Sequence, residues 1–403
     1  MATTVYLDYN ATTPVDARVL AALLPFLSAS FGNASSSYAL GVDAKRAVAR
    51  ARAQVADLLG ASPSELLFLS GGSESINLAL KGSAAATSGR RHIVTSAAEH
   101  VAVLETCRFL ESQGFEVTYL GVDEFGRTSV QDVLAALTPE TFLVSLMHAN
   151  NEVGTLNPIA DVAAALKQHA RENGLAPILL HTDASQSIGK VPVDVDALGV
   201  DLLTIAGHKL YAPKGIGALY VRAGTPPPAV LIHGASHEGG RRAGTENVAF
   251  DVALGEACAM VHEHLTEYAA HMRAARQFLL EELTDRLASP SISSVQFRVN
   301  GHPEHALPNT LSISFRGLSA VKLLALLEAD GVCASAGSAC HSHSSSDADA
   351  KLSHVLAAMK IPREFALGTL RLSVGRHTTR EELVAAAAAV HGAVQQLIHQ
   401  QQQ

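Results

Sequence analysis

Tryptophan is absent from this chain and aromatic residues make up only 5% of it, so alanine, leucine and valine must fill its core. Charge is also scarce: 17% of the 403 residues are charged, against 48% hydrophobic. A chain of that balance can bury enough apolar surface to fold, which excludes intrinsic disorder. Basic clusters are missing apart from the pair Arg241–Arg242, and the net charge is −8. That leaves no electrostatic footprint for nucleic acid. No hydrophobic run approaches the length of a membrane span. The opening MATTVYLDYNATTP has neither the basic nor the apolar region of a signal peptide. Cysteine is sparse, with Cys107, Cys258, Cys333 and Cys340 too few for a disulfide framework in a chain this long. The expectation is a soluble, reduced, cytoplasmic protein with neither a nucleic-acid nor a membrane partner.

What is present is a regular alternation of apolar runs and helical periods. ELLFLS, HIVTS, FEVTYL, TFLVSLM, PILLHTDA, DLLTIAG and IGALYVR read as short buried strands. Between them lie helical stretches at 42–59, near Val101–Gln113 and at 159–172. Asp16 is placed to cap a helix in VDARVLAALLPFL, and Gly60 to stop the helix before it. Such alternation predicts an α/β fold around a mostly parallel sheet buried on both faces. From about Asn247 the texture changes to a long helix reaching about Leu287, then strands VQFRVN, TLSISF and TLRLSV among helices. The predicted organisation is a large α/β domain over 16–258 and a small α+β domain built from 1–15 and 259–403.

Chemistry concentrates at the predicted strand ends. In AGHKLYAPKGIGALY, Lys209 follows a buried strand beside His208 and Tyr211. Desolvation there would lower the lysine pKa and suit a Schiff-base amine, where an isolated lysine would ordinarily be a surface residue. HTDASQSIGK places Asp183 and Gln186 just past another strand, where open sheets bind ligands. Asp183 can serve a protonated pyridine nitrogen, as pyridoxal phosphate (PLP) requires, or simply cap a helix. SGGSES sets Gly72 and Ser73 at a helix start that favours a phosphate. His100, in the AEH that follows HIVTS, is placed to lie over a planar ring at the sheet edge, where a lone histidine would more often be structural. A Schiff-base lysine, an acid for the ring nitrogen, a phosphate cradle and an aromatic lid together point to pyridoxal 5'-phosphate.

The stretch GVCASAGSACHSHSSSDADA, residues 331–350, invites a different reading. Cys340, His341 and His343 are candidate zinc ligands, but no paired CxxC accompanies them. Cys333 is expected to point into the core from a strand, and a Cys333–Cys340 disulfide does not suit a reduced compartment. A reactive thiol at Cys340, in a polar setting where free cysteines are seldom found, is the remaining reading.

The series YLDYNATTP, SGGSESINLALKG, AEH, NNEVGTLNPI, HTDASQSIGK, GHKLYAPKGIGALY, RRAGTEN, GSAC and RLSVGRHTT resembles the class V aminotransferase group of NifS-like cysteine desulfurases. The resemblance runs in order from about residue 5 to residue 390. It implies the fold type I of PLP-dependent transferases and a homodimer. Within the group, PILLHTDA, GVDLLTIAGHK, LPNT, GSACHS and LRLSVGRHTTR are most similar to the selenocysteine lyase branch.

Residue by residue, the resemblance makes Lys209 the lysine that carries PLP, Asp183 the partner of the ring nitrogen and Gln186 that of the ring hydroxyl. It makes His100 the stacking residue and proton shuttle. Gly72, Ser73 and His208 hold the phosphate, joined by Thr245 from the partner subunit. Asn151 and Arg371 take the substrate carboxylate, for which a guanidinium fork is suited, with Arg376 a weaker candidate. Cys340 becomes the catalytic thiol.

Two positions depart from the family pattern. Ala206 stands where desulfurases usually have a phosphate-binding serine, and Ala212 where the family usually has glycine. The implied activity is release of selenium or sulfur from L-selenocysteine or L-cysteine, leaving L-alanine, with selenocysteine lyase favoured and a cysteine desulfurase the alternative. A sulfur or selenium acceptor protein would then be a partner. Another class V PLP enzyme, or a non-catalytic docking scaffold, are the further alternatives.

Overall fold

Apolar runs bounded by turn residues become strands whose alternate side chains enter two separate cores. A computed structural model of the chain describes residues 4–87, 89–288, 295–336 and 352–402. In chain order its strands are β1 (Val5–Tyr6), β2 (Leu66–Leu69), β3 (His92–Ser96), β4 (Glu116–Leu120), β5 (Thr141–Ser145) and β6 (Leu179–Asp183). They continue with β7 (Leu202–Ala206), β8 (Gly217–Val221), β9 (Phe297–Asn300), β10 (Thr310–Phe315), β11 (Val332–Cys333) and β12 (Thr369–Ser373).

Among the described residues one sheet has seven strands in the order β2-β8-β7-β6-β5-β3-β4. The pairs β7–β6, β6–β5, β5–β3 and β3–β4 are parallel, as expected. The exception is β8, antiparallel to both β2 and β7. Its cause is the short connection 207–216, which cannot hold the crossover helix a parallel return needs. Two-residue alternation divides the sheet's side chains between its faces. Phe68, Val144, Leu203 and Ala218 meet Val55, Val162 and Leu254 on one face. Leu67, Ile93, Leu143 and Leu219 meet Ile76, Val103 and Cys107 on the other.

From β3 the chain moves outward to β4, then returns to place β5 on the other side of β3. The loops after β3 and β5 therefore diverge, opening a crevice at the carboxyl ends of the strands.

The antiparallel sheet β12-β10-β9 and the parallel pair β1-β11 lie in the other half of the fold. Leu311, Ile313, Leu370 and Leu372 pack there with Leu279, Leu283, Val390 and Val394. The helix Val248–Leu287 joins the halves, burying Leu254 and Cys258 in one core and Leu279 and Leu283 in the other. Asp16 caps the helix Ala17–Leu27 through the Arg18 N–H, and Gly60, at φ 67°, ends the helix Ala39–Leu59, which begins ahead of the predicted Val42. Among the described residues no helix is long and apolar enough to cross a membrane.

Candidate active site

Most of the chemical motifs follow the carboxyl ends of strands of the seven-stranded sheet, so residues far apart in sequence converge. β7 ends at Ala206 and passes into the turn Gly207–Lys209. β6 ends at Asp183, shortly before Gln186. Beyond β3, His100 caps the helix Val101–Ser112, and beyond β2, Gly72 and Ser73 begin the helix Gly72–Asn77. Lys209, Asp183, Gln186, His100, His208, Gly72, Ser73, Asn151 and Arg371 all line one cavity of about 220 Å³.

The N-terminal segment supplies an unexpected wall. Lys209 Nζ donates to the carbonyl oxygens of Asn10 and Ala11 at 2.6 and 2.7 Å. Gln186 Nε2 donates to the same Asn10 oxygen at 2.9 Å. Thr13 Oγ1 donates to the His208 carbonyl and accepts from the Tyr211 N–H, while Thr12 Oγ1 lies 3.1 Å from His208 Nδ1. The turn that presents Lys209 is thus clasped by residues some 200 positions earlier. DYNATTP carried this signal in the sequence, but its role as a source of acceptors was not legible there.

Asp183 is 6% exposed, and its Oδ1 accepts from the Ser185 N–H at 2.9 Å. His100 Nδ1 accepts from the Ala102 N–H at 3.2 Å, which leaves Nε2 to carry the proton of the neutral ring. Burial holds the His100 pKa below its ordinary value; Asp183 opposes this and Lys209 and His354 reinforce it. His208 is pushed down to about 4, first by burial and then by Lys209 and other nearby cationic groups. Both imidazoles therefore sit neutral near pH 7. Glu99, given no role in the sequence, is fully buried: Oε1 accepts from the Met147 N–H, and Oε2 has no partner among the described residues. Burial raises its pKa well above the carboxylate range.

Arg371 is 2% exposed, which rules out the surface ion pair that an isolated arginine suggests. It donates to the Asn151 carbonyl at 2.8 Å and to Asp8 Oδ1 at 2.7 Å. Among the described residues, Arg371 Nε and Asn151 Oδ1 are both buried without a hydrogen-bond partner. Arg376 does not join this cavity. It pairs with Asp16 and lies over the Tyr211 ring at 3.9 Å, fastening the N-terminal segment to the C-terminal half. Thr245 is exposed and outside the cavity of its own chain.

Cys340 lies outside the described residues, as do His341 and His343. The described residues on either side of that segment touch the site. Ser335 exchanges backbone hydrogen bonds with Arg371, and His354 Nε2 lies 2.8 Å from the carbonyl of Glu99, next to His100. Cys333 sits on β11 and is partly buried.

These residues fit PLP. A Cβ on Gly72 would stand 3.2 Å from Ala206 Cβ and 3.4 Å from Ser185 Oγ, so the backbone there forms a cradle that a side chain would fill. Lys209 offers the amine, Asp183 the carboxylate for a ring nitrogen, and Gln186 a side-chain donor on the same wall.

The sequence profile of the family described as Aminotransferase class-V matches residues 5–385. A cysteine desulfurase IscS of Dictyoglomus turgidum is 43% identical over 380 residues, covering 94% of this chain and 91% of that protein. A cysteine desulfurase IscS of Methanosarcina thermophila is 44% identical over 395 residues, covering 98% and 92%. Among solved structures, a NifS-like protein aligns with a TM-score of 0.87 at 36% identity, covering 97% of this chain and 99% of its own. A second, titled SspA in complex with cysteine, aligns with a TM-score of 0.77 at 37% identity, covering 94% and 100%. With its mostly parallel sheet, its crevice at the strand ends and this match along almost the whole length, the chain belongs to the class V aminotransferase family and has the fold type I of PLP-dependent transferases.

Proposed function

We propose that this protein is a PLP-dependent cysteine desulfurase, converting L-cysteine to L-alanine while its sulfur passes to Cys340 as a persulfide. The observation that carries the reading is the convergence of Lys209, Asp183, Gln186 and His100 on one cavity that also contains buried Arg371. The two IscS relatives named above are cysteine desulfurases, which favours this reading over the selenocysteine lyase that the motifs first suggested. The GSACHS motif is the feature that keeps selenocysteine as a second substrate to test.

When bound, PLP supplies the electron sink that eases loss of the substrate Cα proton. Lys209 anchors the cofactor and then takes that proton at Nζ. Asp183 accepts the hydrogen bond of the ring nitrogen, and Gln186 Nε2 donates to the ring oxygen. Arg371 and Asn151 hold the substrate carboxylate. The Cys340 thiolate attacks the substrate sulfur; the carbon–sulfur bond breaks, a sulfur–sulfur bond forms, and the substrate carbon is protonated to leave alanine. His100, with its proton on Nε2, serves the proton transfers.

The acceptor of the persulfide sulfur is a separate protein. Two chains associate, each offering Thr245 to the other's phosphate, and the exposed Leu24, Leu27, Phe31 and Tyr38 supply apolar surface for that contact. The division into 16–258 and the remainder is supported by the two cores that share the helix Val248–Leu287.

The test is a paired measurement of kcat/KM for L-cysteine and L-selenocysteine on one preparation, with alanine and chalcogen release both quantified. Efficient alanine and persulfide formation from cysteine is expected. Turnover confined to selenocysteine would move the assignment to the lyase, and turnover of neither would end it.

A further inference from the structure

Ser185 stands between Asp183 and Gln186 but has no part in the chemistry assigned so far. It is 8% exposed and lines the same cavity. Its N–H is occupied, donating to Asp183 Oδ1 at 2.9 Å. Its hydroxyl has no hydrogen-bond partner among the described residues. In a residue that is otherwise buried, a hydroxyl that opens on a cavity without a protein partner marks a place for a ligand atom.

The ligand atom can be identified by what else meets there. Ser185 Oγ lies 3.4 Å from the position a Cβ on Gly72 would take, and Ala206 Cβ lies 3.2 Å from the same point. Loops after β2, β6 and β7 therefore meet over Gly72. Gly72 and Ser73 open a run of helical turns that continues through Leu78–Gly82 and Ser83–Ala86, with the early N–H groups at the cavity. An oxyanion suits that corner, whereas the Asp183 carboxylate suits the ring's nitrogen. Ala206 brings only a methyl group to it.

We propose that Ser185 Oγ donates a hydrogen bond to the phosphate of bound PLP, supplying at the Gly72 corner the hydroxyl that Ala206 lacks. This rests on the PLP reading above. One residue then serves both ends of the cofactor: its N–H orients Asp183 and its hydroxyl holds the phosphate.

The experiment measures dissociation constants of PLP and of pyridoxal, which lacks the phosphate, from the cofactor-stripped full-length protein. Ser185→Ala is expected to weaken PLP about tenfold or more and to leave pyridoxal unchanged, since a hydrogen bond to a charged group is lost only with the phosphate present. Ser185→Thr keeps the hydroxyl and retains PLP affinity. Adding Ala206→Ser to the Ser185→Ala variant restores most of it. Unfolding temperatures of the cofactor-free variants separate misfolding from lost binding. Equal PLP affinity in Ser185→Ala and the parent would overturn the inference, as would equal weakening of PLP and pyridoxal. If the parent protein itself failed to develop visible absorbance with PLP, the cofactor reading would fall instead, and the inference with it.

Discussion

The guanidinium of Arg371 donates to the carboxylate of Asp8 across 2.7 Å, although 363 residues separate them in the chain. The pair joins the N-terminal segment to β12 and, among the described residues, leaves Arg371 Nε without a partner. Asp8 thus fixes one arm of the fork that is proposed to hold the substrate carboxylate. Replacing Asp8 with Ala leaves a buried guanidinium with the Asn151 carbonyl as the remaining acceptor for its side chain among the described residues. We expect a stability loss of about 2–3 kcal/mol in urea unfolding, toward the low end for a broken buried pair because Asp8 is partly exposed. KM for the amino acid should rise more than kcat falls, because the arm orients rather than reacts. An unchanged KM would detach Arg371 from substrate binding.

His100 performs two tasks that can be separated by substitution. Its Nδ1 caps the helix Val101–Ser112, and its Nε2 is the proposed proton carrier. Asparagine is a good N-cap but carries no titratable proton. His100→Asn should therefore keep the unfolding temperature within a few degrees while kcat/KM drops about 10²–10⁴-fold, the usual contribution of general acid–base catalysis. His100→Ala should lose the activity and also about 1 kcal/mol of stability. Full activity in His100→Asn would reduce the residue to its cap.

Cys340→Ala separates the cofactor chemistry from the sulfur transfer. The variant should retain PLP absorbance and still bind cysteine, but form no persulfide and release alanine from cysteine about 10³-fold more slowly or worse. Selenocysteine should suffer less, because a selenol departs more readily. Equal alanine release from cysteine by parent and variant, followed by chromatography, would remove Cys340 from the nucleophile's role.

Which of these residues the sequence could announce depended on how local their signals were. Lys209, Asp183, Gly72 and His100 each follow an apolar run directly, so the strand and the chemistry are read together. Asp8 and Asn10 could not be read this way, because their partners Arg371 and Lys209 lie on strands and turns hundreds of residues later. Only the fold brings them within reach. The alternation of strands and helices made the parallel sheet legible, whereas the reversed β8 depended on the brevity of 207–216, a length rather than a pattern. Lys190 closes the motif HTDASQSIGK and drew no attention in sequence, since a lone lysine is ordinarily solvent-exposed.

Lys190 is instead buried, with Nζ donating to Gln186 at its carbonyl oxygen, 2.8 Å, and at Oε1, 3.2 Å. Holding Oε1 turns the Gln186 amide so that Nε2 faces Asn10 and the cavity. Burial, with Lys209 and Arg371 nearby, lowers the Lys190 pKa from 10.5 to about 7. The unfolded chain therefore binds a proton at Lys190 that the folded chain has released, throughout the window from about pH 7 to 10.5. By linkage, this residue makes stability rise with pH across that window, and its full penalty is present below it. Urea midpoints of the cofactor-free protein at pH 7, 8.5 and 10 should show that rise, and Lys190→Met should flatten it. The same variant frees the Gln186 amide, so its PLP affinity should fall even at pH 10, where the folded amine carries no charge. A Lys190→Met protein with the parent's pH slope and the parent's PLP affinity would show that neither the buried amine nor its grip on Gln186 matters.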